Sequence, residues 1–312
     1  MKTVVIGTRG SRLAMVQTAI VRTALERLFP GVRFTVVKIK TTGDLIQDLP
    51  LEKIGDKGLF IKELEAALLK GEIDLAVHSM KDMPTAIPDG LNIGAVLTRE
   101  LPWDVVVGSG SYKTLEDLFD GAPIGSSALR RKAQLLHYCP RLAVEPVRGN
   151  LDTRFSKLER GDFKALILAY AGIKRLGWAG RITQVLPPEI CLPAVGQGAM
   201  GIEIRDGDRE IGRMISPLHC HAAGAAVRAE RAFLKKLGGG CHVPVGALAT
   251  LDRQKLHLKG MVASNDGRIM VRGAEYGESS NPEQLGISLA EKLLRQGCGL
   301  ILSESRQECK AI

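Results

Sequence analysis

The first two-thirds of the chain alternate apolar strand patterns with amphipathic helix patterns, and this alternation constrains the fold more than any other feature. Val4-Val5-Ile6 predicts a buried strand, Ser11 is placed to cap a helix, and apolar residues recur at helical spacing from Leu13 to Leu28. The alternation continues with predicted strands at 34–39, 73–77, 93–97, 105–107, 143–147 and 165–169 and predicted helices at 59–69, 129–138 and 153–160. Repeated strand–helix pairs favour parallel α/β sheets.

Two segments rich in proline or glycine interrupt this pattern, at residues 99–103 and 192–198. Both predict crossings between lobes, and the strand at 199–204 is expected to return to the first sheet. A helix at 222–237 is expected to end at Gly238, which suits a C-cap. The rest predicts short strands around residue 248, at 256–262 and at 269–274, then one helix at 282–295. This pattern indicates a separate, smaller α+β domain.

The size and charge of the chain limit its possible functions. A chain of 312 residues predicts two or three domains. Its net charge of +9 calls for an anionic partner or substrate. Aromatic residues make up only 4% of the chain, which supplies few stacking platforms for single-stranded nucleic acid.

Other features predict a cytoplasmic protein without a metal site. The apolar run at 165–171 is much shorter than the roughly 20 residues of a membrane span, and the amino terminus has no signal-peptide pattern. Six cysteines are scattered without a Cys-x-x-Cys pair, as expected for reduced thiols. His219-Cys220-His221 suggests a metal site at first sight, but neighbouring side chains point apart, so a linker is the preferred interpretation.

Three turns between a predicted strand and a predicted helix combine glycine with arginine: residues 7–12, 125–131 and 148–154. Backbone N–H groups at a helix N-terminus bind anions, and a guanidinium group matches a carboxylate with two hydrogen bonds. Ligands of α/β sheets bind at the carboxyl ends of the strands, so all three turns are expected to line one crevice. A polyphosphate would fit the same charges, although no phosphate-binding or dinucleotide-binding glycine motif is present.

Two residues stand out as candidates for chemistry. Asp82 follows a buried strand beside Lys81, where positive charge keeps a carboxylate ionised and able to stabilise a cation or move protons. The alternative is an ordinary Lys–Asp surface pair. Cys241 follows three glycines, which favours an exposed thiol suited to a covalent bond. The alternative is a small buried apolar residue.

Taken together, these segments resemble the porphobilinogen deaminase family, also called hydroxymethylbilane synthases, over essentially the whole chain. Each motif is weak alone, but their order along the chain is specific. The resemblance is carried by Gly7-Thr8-Arg9-Gly10-Ser11, Lys57-Gly58-Leu59-Phe60, His78-Ser79-Met80-Lys81-Asp82-Met83-Pro84, Leu129-Arg130-Arg131, Arg148-Gly149-Asn150 with Arg154, Pro193-Ala194-Val195-Gly196-Gln197-Gly198 and Gly239-Gly240-Cys241.

The resemblance implies two α/β lobes like those of type II solute-binding proteins and a smaller C-terminal α+β domain. The implied boundaries are 1–98 with 198–216, 103–193 and 220–312. It also implies a dipyrromethane cofactor joined to Cys241 by a thioether. The implied activity is that of a transferase of tetrapyrrole and heme biosynthesis. Four porphobilinogen molecules are joined head to tail with loss of ammonia, and 1-hydroxymethylbilane is then released by hydrolysis.

The same resemblance assigns roles to individual residues. Asp82 is the implied catalytic residue, close to the pyrrole nitrogens, where it would steady the cation left by ammonia loss. The implied cofactor-binding residues are Cys241, Lys81, Asp82, Ser127, Arg130, Arg131 and Gly196. The implied substrate-binding residues are Arg9, Ser11, Gln17, Lys57, Phe60, Arg148, Arg154 and Gln197.

Two other classes of protein remain as alternatives. A non-catalytic, two-lobed anion-binding protein would explain the arginine turns, but it would not need Cys241. A nucleic-acid binder would explain the net charge, but its basic residues are expected on one helix face or among aromatic residues. The preferred interpretation is a monomer that binds a small-molecule substrate and neither nucleic acid nor membrane.

Overall fold

The structure is a computed structural model that describes residues 2–42, 61–238 and 243–311, with side chains up to residue 307. Its described residues form two compact units. The first unit contains residues 2–42, 61–100 and 199–224, and the second contains the others.

Strands and helices are numbered along the chain. The strands are β1 Lys2–Arg9, β2 Val32–Ile39, β3 Leu75–Ser79, β4 Leu91–Val96, β5 Asp104–Gly108, β6 Pro123–Gly125, β7 Ala143–Glu145, β8 Ala165–Ala169, β9 Gln184–Val185, β10 Met200–Arg205, β11 Val245–Asp252, β12 Lys255–Ala263 and β13 Met270–Glu278. The helices are α1 Arg12–Leu28, α2 Lys62–Leu69, α3 Leu129–Tyr138, α4 Leu151–Glu159, α5 Tyr170–Arg175, α6 Arg209–Ile215, α7 His221–Lys236, α8 Pro282–Leu293 and α9 Gly299–Ala311.

The sheet of the first unit has the strand order β2-β1-β3-β10-β4. β1 pairs in parallel with β2 and β3, whereas β10 pairs antiparallel with β3 and β4. The alternating apolar residues of β1 and the apolar stripe of α1 meet in one core, in which Val4, Ile6, Val21 and Leu25 are fully buried. β10 returns to the first sheet, as the sequence predicted.

The second unit contains a sheet with the equivalent order β7-β6-β8-β5-β9. β6 pairs in parallel with β7 and β8, and β5 pairs antiparallel with β8 and β9. The expectation of parallel sheets was therefore wrong for one strand in each. β5 and β10 both follow the proline- or glycine-rich crossing segments rather than a strand–helix unit, so the rule that makes successive strands parallel does not apply to them.

A second sheet in the same unit is the antiparallel meander β11-β12-β13, which α7, α8 and α9 cover. Phe233, Leu258, Leu289 and Leu293 are fully buried between these helices and the sheet. Leu248 and Met261 of this sheet also pack with Ala133 and Leu192. The smaller domain therefore shares an apolar cluster with α3 and the second crossing segment within this unit.

The structure corrects the prediction of one helix after the meander. α8 ends near Leu293, and a second helix, α9, begins after Gly297, whose φ of +91° breaks the helical path. Ile301 and Leu302 on the inner face of α9 are buried. The short helices α5 and α6 were also missed, because six or seven residues hold too few turns to show a helical period.

The predicted fold class is confirmed: two α/β lobes and a smaller C-terminal α+β domain. The boundaries of the three predicted domains stay a prediction. Within the described parts of the chain, no helix has both the length and the apolar content of a membrane span.

Candidate functional site

Asp82 lies in a tightly anchored turn directly after β3. A single 3₁₀ turn, Met80–Asp82, is held by hydrogen bonds from Met80 N to Ala199 O at 3.0 Å and from Met83 N to Met80 O at 3.3 Å. Met80 and Met83 are buried, whereas Asp82 between them is exposed. A Cβ on Gly201 would lie 2.2 Å from Met80 Sδ, so only glycine there lets the methionine pack against β10. Buried methionines thus fix an exposed carboxylate.

A pocket in the first unit brings Asp82 together with the first predicted anion-binding turn. Asp82 and Ser79 line this pocket with Arg9, Ser11 and Gln17. Ser11 caps α1 by accepting a hydrogen bond from Ala14 N at 3.4 Å, and this places Arg9 and Ser11 at the helix N-terminus. The pocket therefore combines one carboxylate with a guanidinium group and the positive end of a helix dipole.

Gln17 has a different position from that of an exposed ligand-binding residue. Its side chain is buried, and its Nε2 donates to Ser79 Oγ at 2.8 Å. This hydrogen bond ties α1 to the end of β3, one turn before Asp82. Gln17 therefore fixes the two walls of the pocket to each other, in addition to lining it.

In the second unit, Arg130 and Arg131 at the start of α3 converge on Asp104. Arg130 Nη1 lies 2.7 Å from Asp104 Oδ2, and Arg131 Nη2 lies 2.7 Å from Asp104 Oδ1. Asp104 is 0% exposed and the two arginines are 6% and 5% exposed. Burial alone would raise the pKa of Asp104, but the two guanidinium groups outweigh it and lower that pKa.

Backbone carbonyl groups complete this buried cluster. Arg130 Nη1 donates to Leu192 O at 2.6 Å, and Arg131 Nη1 donates to Ile167 O at 3.0 Å. Part of each guanidinium group is therefore committed to the interior. The predicted role of both arginines in cofactor binding stays a prediction, and the structure adds that Asp104 sets their position.

Gln197 and Gly196 lie in the second crossing segment and are held by buried acids. Gln197 Nε2 donates to Pro102 O at 2.6 Å and to Asp104 Oδ1 at 3.0 Å, so it links the two crossing segments. Gly196 N donates to Glu230 Oε2 at 2.7 Å, and Ala249 N donates to Glu230 Oε1 at 2.8 Å. Glu230 on α7 thereby joins the second crossing segment to β11.

The other two predicted anion-binding turns of the chain are neighbours in the second unit. Ser127 Oγ donates to Val147 O at 2.6 Å and accepts from Val147 N at 2.9 Å. Arg148 follows immediately, and Arg154 Nε donates to Gly149 O at 3.0 Å. Gly149 has a φ of +100°, which side-chain-bearing residues rarely adopt. The serine hydroxyl therefore joins the two turns.

Cys191 is a thiol in the same cluster that the structure excludes as a nucleophile at neutral pH. Burial and the nearby Asp104 raise the pKa of Cys191 to about 12. Because the thiolate is the reactive form, this cysteine stays protonated and inert.

Some predictions lie beyond what the structure describes. Lys57, Phe60 and Cys241 fall outside the described residues. The expected common crevice also stays a prediction, since the first arginine turn belongs to one compact unit and the other two to the other.

Four polar residues that organise these sites were missed from the sequence: Ser79, Asp104, Glu203 and Glu230. For Asp104 and Glu203 the overlooked signal is an acid inside an apolar pattern. Asp104 adjoins Val105-Val106-Val107, and Glu203 separates Ile202 from Ile204. An acid in such a run must be buried with a partner, because an unpaired buried charge is very costly.

Comparison with known proteins decides the family. Residues 4–213 match the family model described as "Porphobilinogen deaminase, dipyromethane cofactor binding domain". Residues 225–295 match "Porphobilinogen deaminase, C-terminal domain". The chain belongs to the porphobilinogen deaminase family. A porphobilinogen deaminase from Carboxydothermus hydrogenoformans is 52% identical over 307 residues, which covers 98% of this chain and 98% of that relative. Another, from Desulforudis audaxviator, is 54% identical over 303 residues, which covers 97% and 98%.

Solved structures also share similarity with this porphobilinogen deaminase family member. The periplasmic aliphatic sulphonate binding protein from Escherichia coli matches with a TM-score of 0.42 and 16% identity, over 75% of this chain and 70% of that chain.

Proposed function

We propose that this chain is a porphobilinogen deaminase, a transferase that joins four porphobilinogen molecules head to tail and releases 1-hydroxymethylbilane. The observation that carries the proposal is the exposed Asp82 in an anchored turn, in one pocket with Arg9 and Ser11. Porphobilinogen carries two carboxylates and a pyrrole N–H group. The pocket offers a cation and a helix N-terminus for the former and a carboxylate for the latter.

The residues present fit a dipyrromethane cofactor by the chemistry of their donors. Ser126 Oγ, at the turn into α3, is buried with no hydrogen-bond partner among the described residues. It adjoins Ser127, Arg130 and Arg131, so polar donors collect at one helix N-terminus. We propose that Lys81, Asp82, Ser127, Arg130, Arg131 and Gly196 hold the cofactor, which is tethered to Cys241. When bound, that group supplies the free pyrrole carbon at which chain growth begins.

The protein's own residues would then bind, orient and exchange protons. Asp82 accepts hydrogen bonds from pyrrole N–H groups, stabilises positive charge as ammonia leaves, and moves a proton as the new carbon–carbon bond forms. Arg9 and Ser11 bind substrate carboxylates with Lys57, Arg148 and Arg154. Asp104 holds Arg130 and Arg131 rigid, so that their remaining N–H groups are preorganised for carboxylates. Gln17, Phe60 and Gln197 complete the proposed substrate site.

The oligomeric state, the location and the partners of the protein are also predicted. We expect a monomer that acts in the cytoplasm and binds no nucleic acid. The clustering of arginines at glycine turns supports small anions rather than nucleic acid as partners. Sedimentation would test the monomer, and an electrophoretic shift assay would test nucleic-acid binding.

The mass of the intact protein tests the proposed function directly. We expect the purified protein to exceed the mass of its sequence by one dipyrromethane, with the addition mapped to Cys241 by peptide mass spectrometry. Cys241→Ala should have no added mass and no measurable product. A non-catalytic anion-binding protein predicts no addition in either protein. An unmodified wild-type protein that still makes 1-hydroxymethylbilane at full rate would overturn the tether.

Arg9 and Arg12 provide a matched test of substrate binding. Arg9 lines the pocket, whereas Arg12, in the first turn of α1, is exposed and does not. We expect Arg9→Gln to raise the KM for porphobilinogen about tenfold or more, since a hydrogen bond to a charged group contributes roughly 1.5–3 kcal/mol. Arg12→Gln should change KM less than twofold. Equal KM values for the two variants would remove Arg9 from the substrate site.

A further inference from the structure

Three ionisable side chains are buried in the first unit behind the Asp82 turn: Glu65 on α2, His78 on β3 and Glu203 on β10. His78 is 5% exposed, Glu203 is 0% exposed and Glu65 is 7% exposed. His78 also lines the pocket that Asp82 lines, and it lies four residues before Asp82. The proposed chemistry assigns none of the three a task.

His78 and Glu203 form a buried pair across two antiparallel strands. His78 Nε2 lies 2.9 Å from Glu203 Oε2, so the imidazole donates its Nε2 proton to the carboxylate. In the ladder between β3 and β10, Gly201 lies opposite His78 and Met200 lies opposite Ser79, the last residue of β3. This side-chain pair therefore holds β3 against β10 at the end where β3 continues into the Asp82 turn.

The two carboxylates each have an oxygen that lacks a hydrogen-bond partner within the part of the chain that the structure describes: Glu65 Oε1 and Glu203 Oε1. Two buried carboxylates near each other cannot both stay charged at low cost. Burial first, and then the charge of Glu203, raise the pKa of Glu65, while His78 and Lys62 act in the opposite direction. A proton on Glu65 would supply an O–H donor, and Glu203 Oε1 is a buried acceptor that lacks a donor among the described residues.

We propose that Glu203 is a positioning residue for Asp82 that acts through His78, and that Glu65 supports it as a neutral acid sharing its proton with Glu203. This inference rests on the proposed function of Asp82. The His78–Glu203 pair fixes the end of β3, so that the carboxylate of Asp82 meets the reacting atoms at a constant position. Loss of the charge on Glu203 weakens the hold on His78 and lets the turn shift.

The test is Glu203→Gln, which keeps the size of the side chain and removes its charge. We expect kcat for tetrapyrrole formation to fall about 10²-fold, the loss that a displacement of about 1 Å in a catalytic group can cause. KM should stay within twofold, and intact mass should still show the tether. A role limited to stability would lower the melting temperature and the folded fraction, but not kcat per tethered molecule.

Asp74→Asn is the matched control, because Asp74 stands at the other end of β3. Asp74 Oδ2 accepts from Val5 N at 2.8 Å, and Oδ1 lies 3.3 Å from Arg205 Nη2. This variant should destabilise the same sheet without changing kcat. If E203Q does not fold, His78→Gln provides the same measurement on the other partner of the pair.

Two variants of Glu65 test the shared proton separately from the positioning role of Glu203. Glu65→Gln, which can still donate, should retain most of the wild-type kcat, whereas Glu65→Leu should lose tenfold or more. Equal losses in E65Q and E65L would overturn the shared proton, and an unchanged kcat in E203Q would overturn the positioning role. Wild-type protein without tether or product would instead refute the proposed function, so the two failures are distinguishable.

Discussion

Replacing Asp82 with asparagine should lower kcat for tetrapyrrole formation by about 10²- to 10⁴-fold, the usual contribution of a positioned acid or base. An amide of the same size cannot neutralise the positive charge that develops as ammonia leaves, and it cannot take up a proton. Since Asp82 is exposed and Met80 and Met83 anchor its turn, the fold should be unaffected. The measurement is the steady-state rate per tethered molecule, with tether occupancy determined by mass.

Asp89→Asn is the control for this prediction. Asp89 is another exposed aspartate of the first unit and does not line the pocket. Its replacement should leave kcat, KM and the melting temperature within error of the wild type. Wild-type turnover in Asp82→Asn would remove Asp82 from the mechanism and with it the observation that carries the proposed function.

Replacing Asp104 with asparagine should cost about 3–5 kcal/mol of unfolding free energy, because two buried guanidinium groups would lose their only ion-pair partner among the described residues. Gln197 would also lose one of its acceptors. We expect a lower denaturation midpoint by urea titration and weaker cofactor loading, since Arg130 and Arg131 would no longer be held in place.

Asp162→Asn is the control that separates the effect of burial from the effect of losing an ion pair. Asp162 pairs with Arg160 at 2.8 Å in the same unit, but the two side chains are 41% and 60% exposed. Exposed pairs of this kind contribute about 0–1 kcal/mol. Similar losses in Asp104→Asn and Asp162→Asn would show that the buried cluster does not stabilise the second unit.

The contribution of Asp104 to the free energy of unfolding should also depend on pH in a defined direction. Its pKa is lowered in the folded state, so its stabilisation is complete above the unfolded-state pKa of about 3.9. As the pH falls below that value, the unfolded chain takes up a proton that the folded protein still resists. The stability difference between the wild type and Asp104→Asn should therefore be constant near neutral pH and narrow below about pH 4. A difference that is already narrowing at pH 6 would contradict this assignment.

The elements with a clear period were predictable from the sequence. β1, α1, α3 and β8 lie where the apolar pattern placed them, because each buries one regular face or stripe. The arginine turns were predictable as strand-to-helix junctions. Ser11 was correctly predicted as the cap of α1, whereas Asn150, which caps α4, was not identified as a cap. Both side chains satisfy N–H groups that the helix itself leaves unpaired.

The candidate site was predictable only in part. Local motifs indicated Arg9, Ser11 and Asp82, which share one pocket. The sequence did not show that Gln17 bonds to Ser79, or that Ser127 bonds to the backbone of Val147, because these partners are 62 and 20 residues apart. Such pairings depend on the strand order, which periodicity does not encode.

The sequence by itself determined the type of chemistry: glycine-flanked arginines for carboxylates, one acid in a cationic setting, and a cysteine after three glycines. Those properties are local, since a few neighbouring residues set backbone freedom and side-chain charge. Only the tertiary structure decided which acids face inward. Asp104 meets two arginines, Glu203 meets His78, and Glu230 meets the N–H groups of two separate segments. Each of these acids is tolerable in the interior because the fold brings distant donors to it, and that compensation is a property of the packed chain.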